Sequence, residues 1–263
     1  MITSTANAKV KRLVNLRKKR RARDEEKVFL VEGIRMFAEI PPKKLREVYV
    51  TESFYHREKQ LIDRVLSGTR TVPEVLSDQV FAYASDTKTP QGILCVVSQM
   101  GYGLSDVLEG ACPYVLVLDN LQDPGNLGTI VRTAEGAGIT GIVMSRDCVD
   151  ILNPKTIRAT MGSICRMPFY YAEDFDAAIR EIKAKGIHTY AAHLDGARAY
   201  DGEDYRRPCA FFIGNEGNGL RDEVAGQADT CVKIAMEGQV ESLNAAIAAA
   251  VLMFEGSRQR RNL

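Results

Sequence analysis

Three polar stretches carry the side chains best suited to chemistry. The first, Leu118-Asp119-Asn120-Leu121-Gln122-Asp123-Pro124-Gly125-Asn126-Leu127-Gly128-Thr129-Ile130-Val131-Arg132, leaves an apolar run and passes a Pro-Gly turn into a helical segment. Asn126 is placed to cap that helix and Arg132 falls in its second turn. This turn lies beyond the carboxyl end of a strand, where open α/β sheets bind ligands; the plainer reading is an ordinary strand–turn–helix with a surface arginine. The second stretch, Phe211-Phe212-Ile213-Gly214-Asn215-Glu216-Gly217-Asn218-Gly219-Leu220, has GxxGxG spacing, not the GxGxxG of a dinucleotide site. Glu216 would repel a phosphate and suits a cationic ligand or a hydroxyl donor. The plainer reading is a glycine-rich turn with Asn215 and Asn218 in left-handed conformations. In the third, Ile234-Ala235-Met236-Glu237-Gly238-Gln239-Val240-Glu241-Ser242-Leu243-Asn244, Ser242 is placed to cap a final helix, and capping alone would account for it.

Other catalytic patterns are missing from the sequence. His56, His188 and His193 have no spacing for a shared metal, and no HExxH, P-loop or Ser/His/Asp order occurs. The six cysteines never form a CxxC pair, so no metal site is expected and the apolar ones read as core residues.

The elements that must position these stretches alternate. Strands are expected at Val28–Val31, Val48–Val50, Thr71-Val72 and Gly92–Val97, and helices near Ile34–Ala38, Gln60–Leu66 and Asp78–Tyr83, with Pro41-Pro42 ending the first of them. A new series begins with a strand at Tyr114–Leu118. It continues with a helix from Leu127, a strand at Ile142–Met144, a helix near Lys155–Met161, a strand near Met167–Tyr171 and a helix at Asp174–Lys185. Strands at Thr189–Ala192, Ala210–Ile213 and Val232–Ile234 precede a helix from Ser242 to Phe254. The alternation predicts an α/β protein with a mainly parallel sheet covered on both faces. The boundaries are placed at 1–99 for a small α/β domain, 100–112 for a linker and 113–263 for the larger domain.

The 263 residues are 45% hydrophobic and 26% charged, a soluble globular profile with a net charge of +1. The charge is uneven. Lys9, Lys11, Arg12, Arg17, Lys18, Lys19, Arg20, Arg21 and Arg23 place +9 in the first 23 residues, leaving −8 elsewhere. With Val10, Leu13, Val14 and Leu16 interleaved, this segment is expected to be an amphipathic helix. Its basic face either meets a nucleic acid or is merely solvated. No apolar signal segment follows Met1, and Ala245–Phe254 is too short to span a bilayer, so a cytoplasmic protein without a membrane partner is expected.

Together the three stretches resemble the signature motifs of the SpoU/TrmH family of RNA methyltransferases, within the SPOUT class. Asn126-Leu127-Gly128…Arg132 resembles the first motif, Gly214-Asn215-Glu216-Gly217…Gly219-Leu220 the second and Ser242-Leu243-Asn244 the third. Asn153-Pro154-Lys155…Arg158-Ala159…Met161-Gly162 is similar to a further shared stretch. Ser4…Asn7…Val10-Lys11, Phe29-Leu30-Val31-Glu32-Gly33 and Thr89-Pro90-Gln91-Gly92 resemble the family's substrate-binding domain. Ala235 and Ala245 stand where family members often have proline and valine, a change of packing only.

The resemblance implies an N-terminal ribosomal-protein-like α/β RNA-binding domain and a C-terminal SPOUT domain knotted as a trefoil, dimerising near its active site. It implies S-adenosylmethionine held by Ala192, His193, Leu194, Gly214, Asn215, Glu216, Gly217, Ile234, Met236 and Leu243. Arg132 is implied as the catalytic residue, with Asn126, Glu216, Ser242 and Asn244 orienting it, the ribose and the loops. The nine basic residues would contact RNA. The expected activity is methyl transfer to a ribose 2′-hydroxyl, with ribosomal RNA favoured as substrate. Transfer RNA, base methylation and a non-catalytic RNA-binding or ribosome-assembly role stay open on the sequence alone.

Overall fold

The computed structural model describes residues 1–194 and 198–261, which form two compact units. The first comprises Met1–Met100 with Asp150–Cys165, and the second Gly101–Val149 with Arg166–Leu263. Residues 150–165 thus leave the larger domain expected at 113–263 and join the first unit.

The first unit opens with helices α1 (Ala8–Lys18) and α2 (Arg20–Glu26), then strand β1 (Val28–Glu32), α3 (Ile34–Glu39) and β2 (Leu45–Thr51). Helices α4 (Glu52–Arg57) and α5 (Lys59–Leu66), strand β3 (Glu74–Leu76), α6 (Asp78–Ala84) and β4 (Ile93–Ser98) complete its N-terminal part. The sheet order is β1-β4-β2-β3, with β4 antiparallel to both neighbours and β3 parallel to β2. The short strand expected at Thr71-Val72 lies instead at Glu74–Leu76. Pro73 separates the two positions, Val72 is exposed, and Tyr49–Thr51 and Ile2 pair with the later residues.

The expected amphipathic helix is present: Val10, Leu13 and Leu16 are buried against β1 and α6 side chains in one apolar cluster. It ends at Lys18, however, and the nine basic residues of the segment, spread over α1, Lys19 and α2, do not form one free face. Arg23 is only 3% exposed, donates to the carbonyl of Leu16 at 2.6 Å, and is ion-paired with Asp150, so it is a core residue and not a surface RNA contact. This pair and the packing of helix Pro154–Thr160 on β1 explain why Asp150–Cys165 belongs to this unit. Arg12 bridges Glu26 and Glu47, Lys9 pairs with Glu74, Arg20 with Asp24, Arg21 with Glu25, and Arg17 donates to the carbonyls of Tyr83 and Ser85. The side chains of Lys11, Lys18 and Lys19 make no hydrogen bond or ion pair among the described residues.

The second part of the chain runs α7 (Leu104–Val107), β5 (Tyr114–Leu118), α8 (Pro124–Ala137), β6 (Gly141–Ser145), α9 (Pro154–Thr160) and β7 (Phe169–Ala172). There follow α10 (Phe175–Ala184), β8 (His188–Ala192), β9 (Arg198–Ala199), β10 (Cys209–Ile213), α11 (Asp222–Ala225), β11 (Thr230–Lys233) and α12 (Ala245–Arg260). All but α9 lie in the second unit. Residues 100–112 carry α7, whose Val107 is buried in the second unit's core together with Leu108.

The seven strands are all parallel, in the order β7-β6-β5-β10-β8-β11-β9. The central strands β5, β6 and β10 are buried at every position, as expected for a sheet with helices on both faces. From β5 the chain moves outward through β6 to β7, whereas β10, on the other side of β5, leads outward through β8. The order therefore reverses between β5 and β10, the place where ligands bind beyond the carboxyl ends of such sheets.

Helix α12 packs on α8 and β10. Gly256 makes this approach possible, because a Cβ there would lie 2.1 Å from the Tyr114 hydroxyl. Tyr114 cannot yield: its hydroxyl donates to the Met253 carbonyl at 2.7 Å, Phe211 meets its ring edge-on, and the Arg260 guanidinium lies 4.2 Å from its centroid. Gly256→Ala should therefore destabilise the fold by about 1–3 kcal/mol through overpacking. Thermal unfolding should show a fall of at least a few degrees, and an unchanged melting temperature would contradict the packing described.

Candidate functional site

Two loops leave the adjacent strands β5 and β10 at the reversal point, and hydrogen bonds join them. Glu216 Oε2 accepts the backbone N–H of Gln122 at 3.0 Å, while Oε1 accepts the N–H of Asp123 at 2.8 Å and Asn126 Nδ2 at 3.1 Å. Asn215 Nδ2 donates to the carbonyl of Asn120 at 2.8 Å. Partial burial would raise the Glu216 pKa, but the N–H donors outweigh it and the carboxyl is held below its usual range.

The second loop folds back on itself. Asn215 and Gly219 exchange backbone hydrogen bonds, and the Asn215 side chain accepts the N–H groups of Gly217 and Asn218. Gly214 is indispensable to this shape, since a Cβ would lie 2.1 Å from the backbone of Gly219 and Leu220. Neither Asn215 nor Asn218 is left-handed. That conformation falls on Gly219, with φ +71°, and on Asn120 in the first loop, with φ +52°.

The capping residues differ from expectation. Asp123 caps α8, accepting the N–H of Asn126, with Pro124 in the first turn where its missing N–H costs nothing. Asn126 is thus inside the first turn and Arg132 in the third. Asn244, not Ser242, caps α12 by accepting the N–H groups of Ala246 and Ile247, and its Nδ2 donates to Asn126 Oδ1 at 3.1 Å. With Asp123 capping α8, the Asn126 side chain is left to meet the amide of the α12 cap and so links the two helix starts. One hydrogen-bonded chain then runs from the start of α12 through Asn244 and Asn126 to Glu216.

The carboxyl ends of β8, β10 and β11 enclose a cavity of about 710 Å³. All ten residues assigned to the cofactor by resemblance line it: Ala192, His193, Leu194, Gly214, Asn215, Glu216, Gly217, Ile234, Met236 and Leu243. Ser242 is also on its wall, with Asp222, Lys233 and Glu241. Arg132 is not among the lining residues. It is exposed on α8 and makes no hydrogen bond or ion pair among the described residues. Asn126, Glu216 and Asn244 are thus brought together directly, Ser242 joins them at the cavity, and Arg132 stands apart. No group of three or more His, Cys, Asp or Glu residues among the described residues could hold a metal, and no helix among them is long and apolar enough to cross a membrane.

A model of the SpoU rRNA Methylase family matches residues 113–254, the stretch that carries both loops, the cavity and the capping asparagines. The chain belongs to the SpoU rRNA methylase family. An MRM3-like substrate binding domain model matches residues 7–95. The chain is 31% identical to the 23S rRNA (guanosine(2553)-2′-O)-methyltransferase RlmP of Bacillus subtilis, over 96% of this chain and 97% of that one. It is 30% identical to the 23S rRNA (guanosine-2′-O-)-methyltransferase RlmB of Bordetella pertussis, over 84% and 91% of the two chains. A crystal structure of an AdoMet-bound rRNA methyltransferase from Sinorhizobium meliloti is similar with a TM-score of 0.85 at 30% identity, covering 100% of this chain and 97% of that one.

Several polar residues of this SpoU methylase site escaped the sequence reading. Asn120, Gln122 and Asp123 stand in the turn before α8, and it is their backbone that makes the contacts with the second loop: the N–H groups of Gln122 and Asp123 donate to Glu216, and the Asn120 carbonyl accepts Asn215 Nδ2. Asp119 and Arg221 form an ion pair across 102 positions of sequence. No periodicity marks such a pair; the one cue was an acid at the end of an otherwise apolar strand.

The pH behaviour of Glu216 follows from its lowered pKa. A carboxylate stabilised in the folded state contributes fully above its unfolded pKa and loses that contribution as the pH falls through the folded value. Glu216→Gln replaces an acceptor by a donor that faces N–H groups. The variant should melt below the wild type at pH 7, and the gap should narrow as the pH drops below the ordinary glutamate range. A gap that is absent at pH 7, or that widens in acid, would rule out the carboxylate lock.

Proposed function

We propose that this protein transfers a methyl group from S-adenosylmethionine to a ribose 2′-hydroxyl of ribosomal RNA, using the cavity at the ends of β8, β10 and β11. The observation that carries the reading is the hydrogen-bonded chain Asn244–Asn126–Glu216 beside a cavity lined by all ten residues of the expected cofactor set.

The residues present suit the cofactor. Leu194, Ile234, Met236 and Leu243 offer apolar contact, and the loops between the strands offer backbone donors and acceptors for adenine and ribose. Glu216, Asp222 and Glu241 place carboxylates around a cavity that would receive a cation. When bound, S-adenosylmethionine supplies an electrophilic methyl carbon on a sulfonium.

The chain's own task is to hold the hydroxyl in line, favour loss of its proton and exclude water. Glu216 is a positioning residue, because both its oxygens are occupied by N–H donors. Asn126 and Asn244 transmit that position to the starts of α8 and α12, and Ser242 faces the same cavity. Arg132 is the residue we assign to the reacting oxygen. An arginine suits stabilisation of the developing alkoxide, or a clamp on the neighbouring phosphate, and not the role of a base. RNA phosphates are met through the first unit, with Lys11, Lys18 and Lys19 as contacts. The other basic residues expected there are engaged within the protein, which supports a smaller electrostatic footprint than +9.

The knotted path and the dimer belong to the same reading. After β11 the chain returns past β8 to pack α12 on α8 and β10, a course in keeping with a trefoil knot. Ile247 and Phe254, seven residues apart on α12, are each about half exposed, which favours a second copy of the chain covering that face. A cytoplasmic location accords with an rRNA substrate.

Arg132→Ala should abolish methyl transfer, with at least about a hundredfold loss for a group that acts only on developing charge. Cofactor affinity measured by calorimetry should change little. Full activity in the variant would remove Arg132 from the reaction. Phe254→Lys should convert a dimer to monomers in sedimentation velocity; a wild type that is itself monomeric would contradict the dimer.

A further inference from the structure

Asp119 follows β5 immediately, and its side chain is fully buried. A buried carboxylate requires a charged partner with well-formed hydrogen bonds. Arg221 supplies these: Nε lies 2.9 Å from Oδ1 and 3.1 Å from Oδ2, Nη2 also donates to Oδ1, and the Arg221 backbone N–H donates to Oδ2 at 3.1 Å. The outer face of the guanidinium reaches Asp147 Oδ2 at 3.5 Å, in the loop after β6. Asp147 in turn accepts the Ser145 hydroxyl, which accepts the N–H of Asn120. Arg221 thus ties the ends of β5, β6 and β10 to one point.

Its place in the chain gives this knot of charge a consequence for the cavity. Arg221 lies between Leu220 and Asp222, both on the cavity wall. Leu220 is also half of the close contact that Gly214 makes with the loop's return. Fixing Arg221 fixes the base of the 214–220 loop, whereas the Glu216 contacts fix only its tip.

Resting on the methyltransferase reading above, we propose that Arg221, braced between Asp119 and Asp147, is a positioning residue that sets the cofactor affinity of the 214–220 loop without touching the reacting atoms. Arginine suits the role because a planar fork can satisfy both oxygens of Asp119 while still presenting a third nitrogen to Asp147.

The test is calorimetric titration of S-adenosylmethionine into the full-length wild type, Arg221→Ala and Arg221→Lys, with thermal melts and steady-state kinetics on rRNA. Arg221→Ala should bind the cofactor at least about tenfold more weakly and raise its KM. The KM for RNA should stay unchanged, a selectivity that general loss of stability would not produce. Arg221→Lys, which keeps the charge but loses the fork, should fall between the two and carries the same comparison if the alanine variant does not fold. Wild-type affinity in a folded variant would overturn the assignment. A wild type that binds no S-adenosylmethionine would instead overturn the methyltransferase reading, and this assignment with it.

Discussion

The carboxylate of Glu216 accepts N–H groups from Gln122, Asp123 and Asn126, so the loops after β5 and β10 cannot move independently. Such charge-assisted bonds are stronger than neutral ones, and here they join residues 90 to 94 positions apart. Everything else at the site is arranged around them. The Asp123 N–H can donate to Glu216 because the N-cap N–H has no acceptor within α8. Asn126 is free to bridge because Asp123 caps, and Asn244 completes the bridge because α12 begins one residue after it. The helix N-termini carry partial positive charge, which favours a carboxylate at their junction.

The parallel sheet makes this arrangement possible and also needs it. A strand order that reverses between β5 and β10 leaves two loops diverging in opposite directions over a gap. Backbone groups in that gap have no ladder partners, so side chains must satisfy them. Asn215, Ser145 and Asp119 do so on one side, for the backbone of Asn120 and Arg221, and the capping residues on the other. The cavity lies where the loops after β8, β10 and β11 meet, lined by backbone and apolar side chains in alternation with a few carboxylates.

Much of this was legible in the sequence, for identifiable reasons. Tyr114–Leu118 read as a buried strand because all five residues are apolar and turn-forming residues follow, and the strand has those bounds. The loop residues at 126, 214–217 and 242–244 stood out through glycine and asparagine at strand ends, and the structure gathers them. The exact cap positions were not legible. Ser242 and Asn244 are both good caps, as are Asp123 and Asn126, and only long-range bonding decides between them. The Asp119–Arg221 pair and the burial of Arg23 against Asp150 were equally hidden, because charge counted along a chain does not reveal which charges neutralise each other in space. For the same reason a segment of +9 overstates the electrostatic surface that α1 and α2 present.

The most direct test of the whole account is transfer of labelled methyl from S-adenosylmethionine to ribosomal RNA from a strain lacking this protein, followed by complete nuclease digestion and nucleoside analysis. Label is expected in a 2′-O-methylnucleoside of rRNA. Label on a base, or no transfer to rRNA or its assembly intermediates by a protein that binds the cofactor, would contradict it.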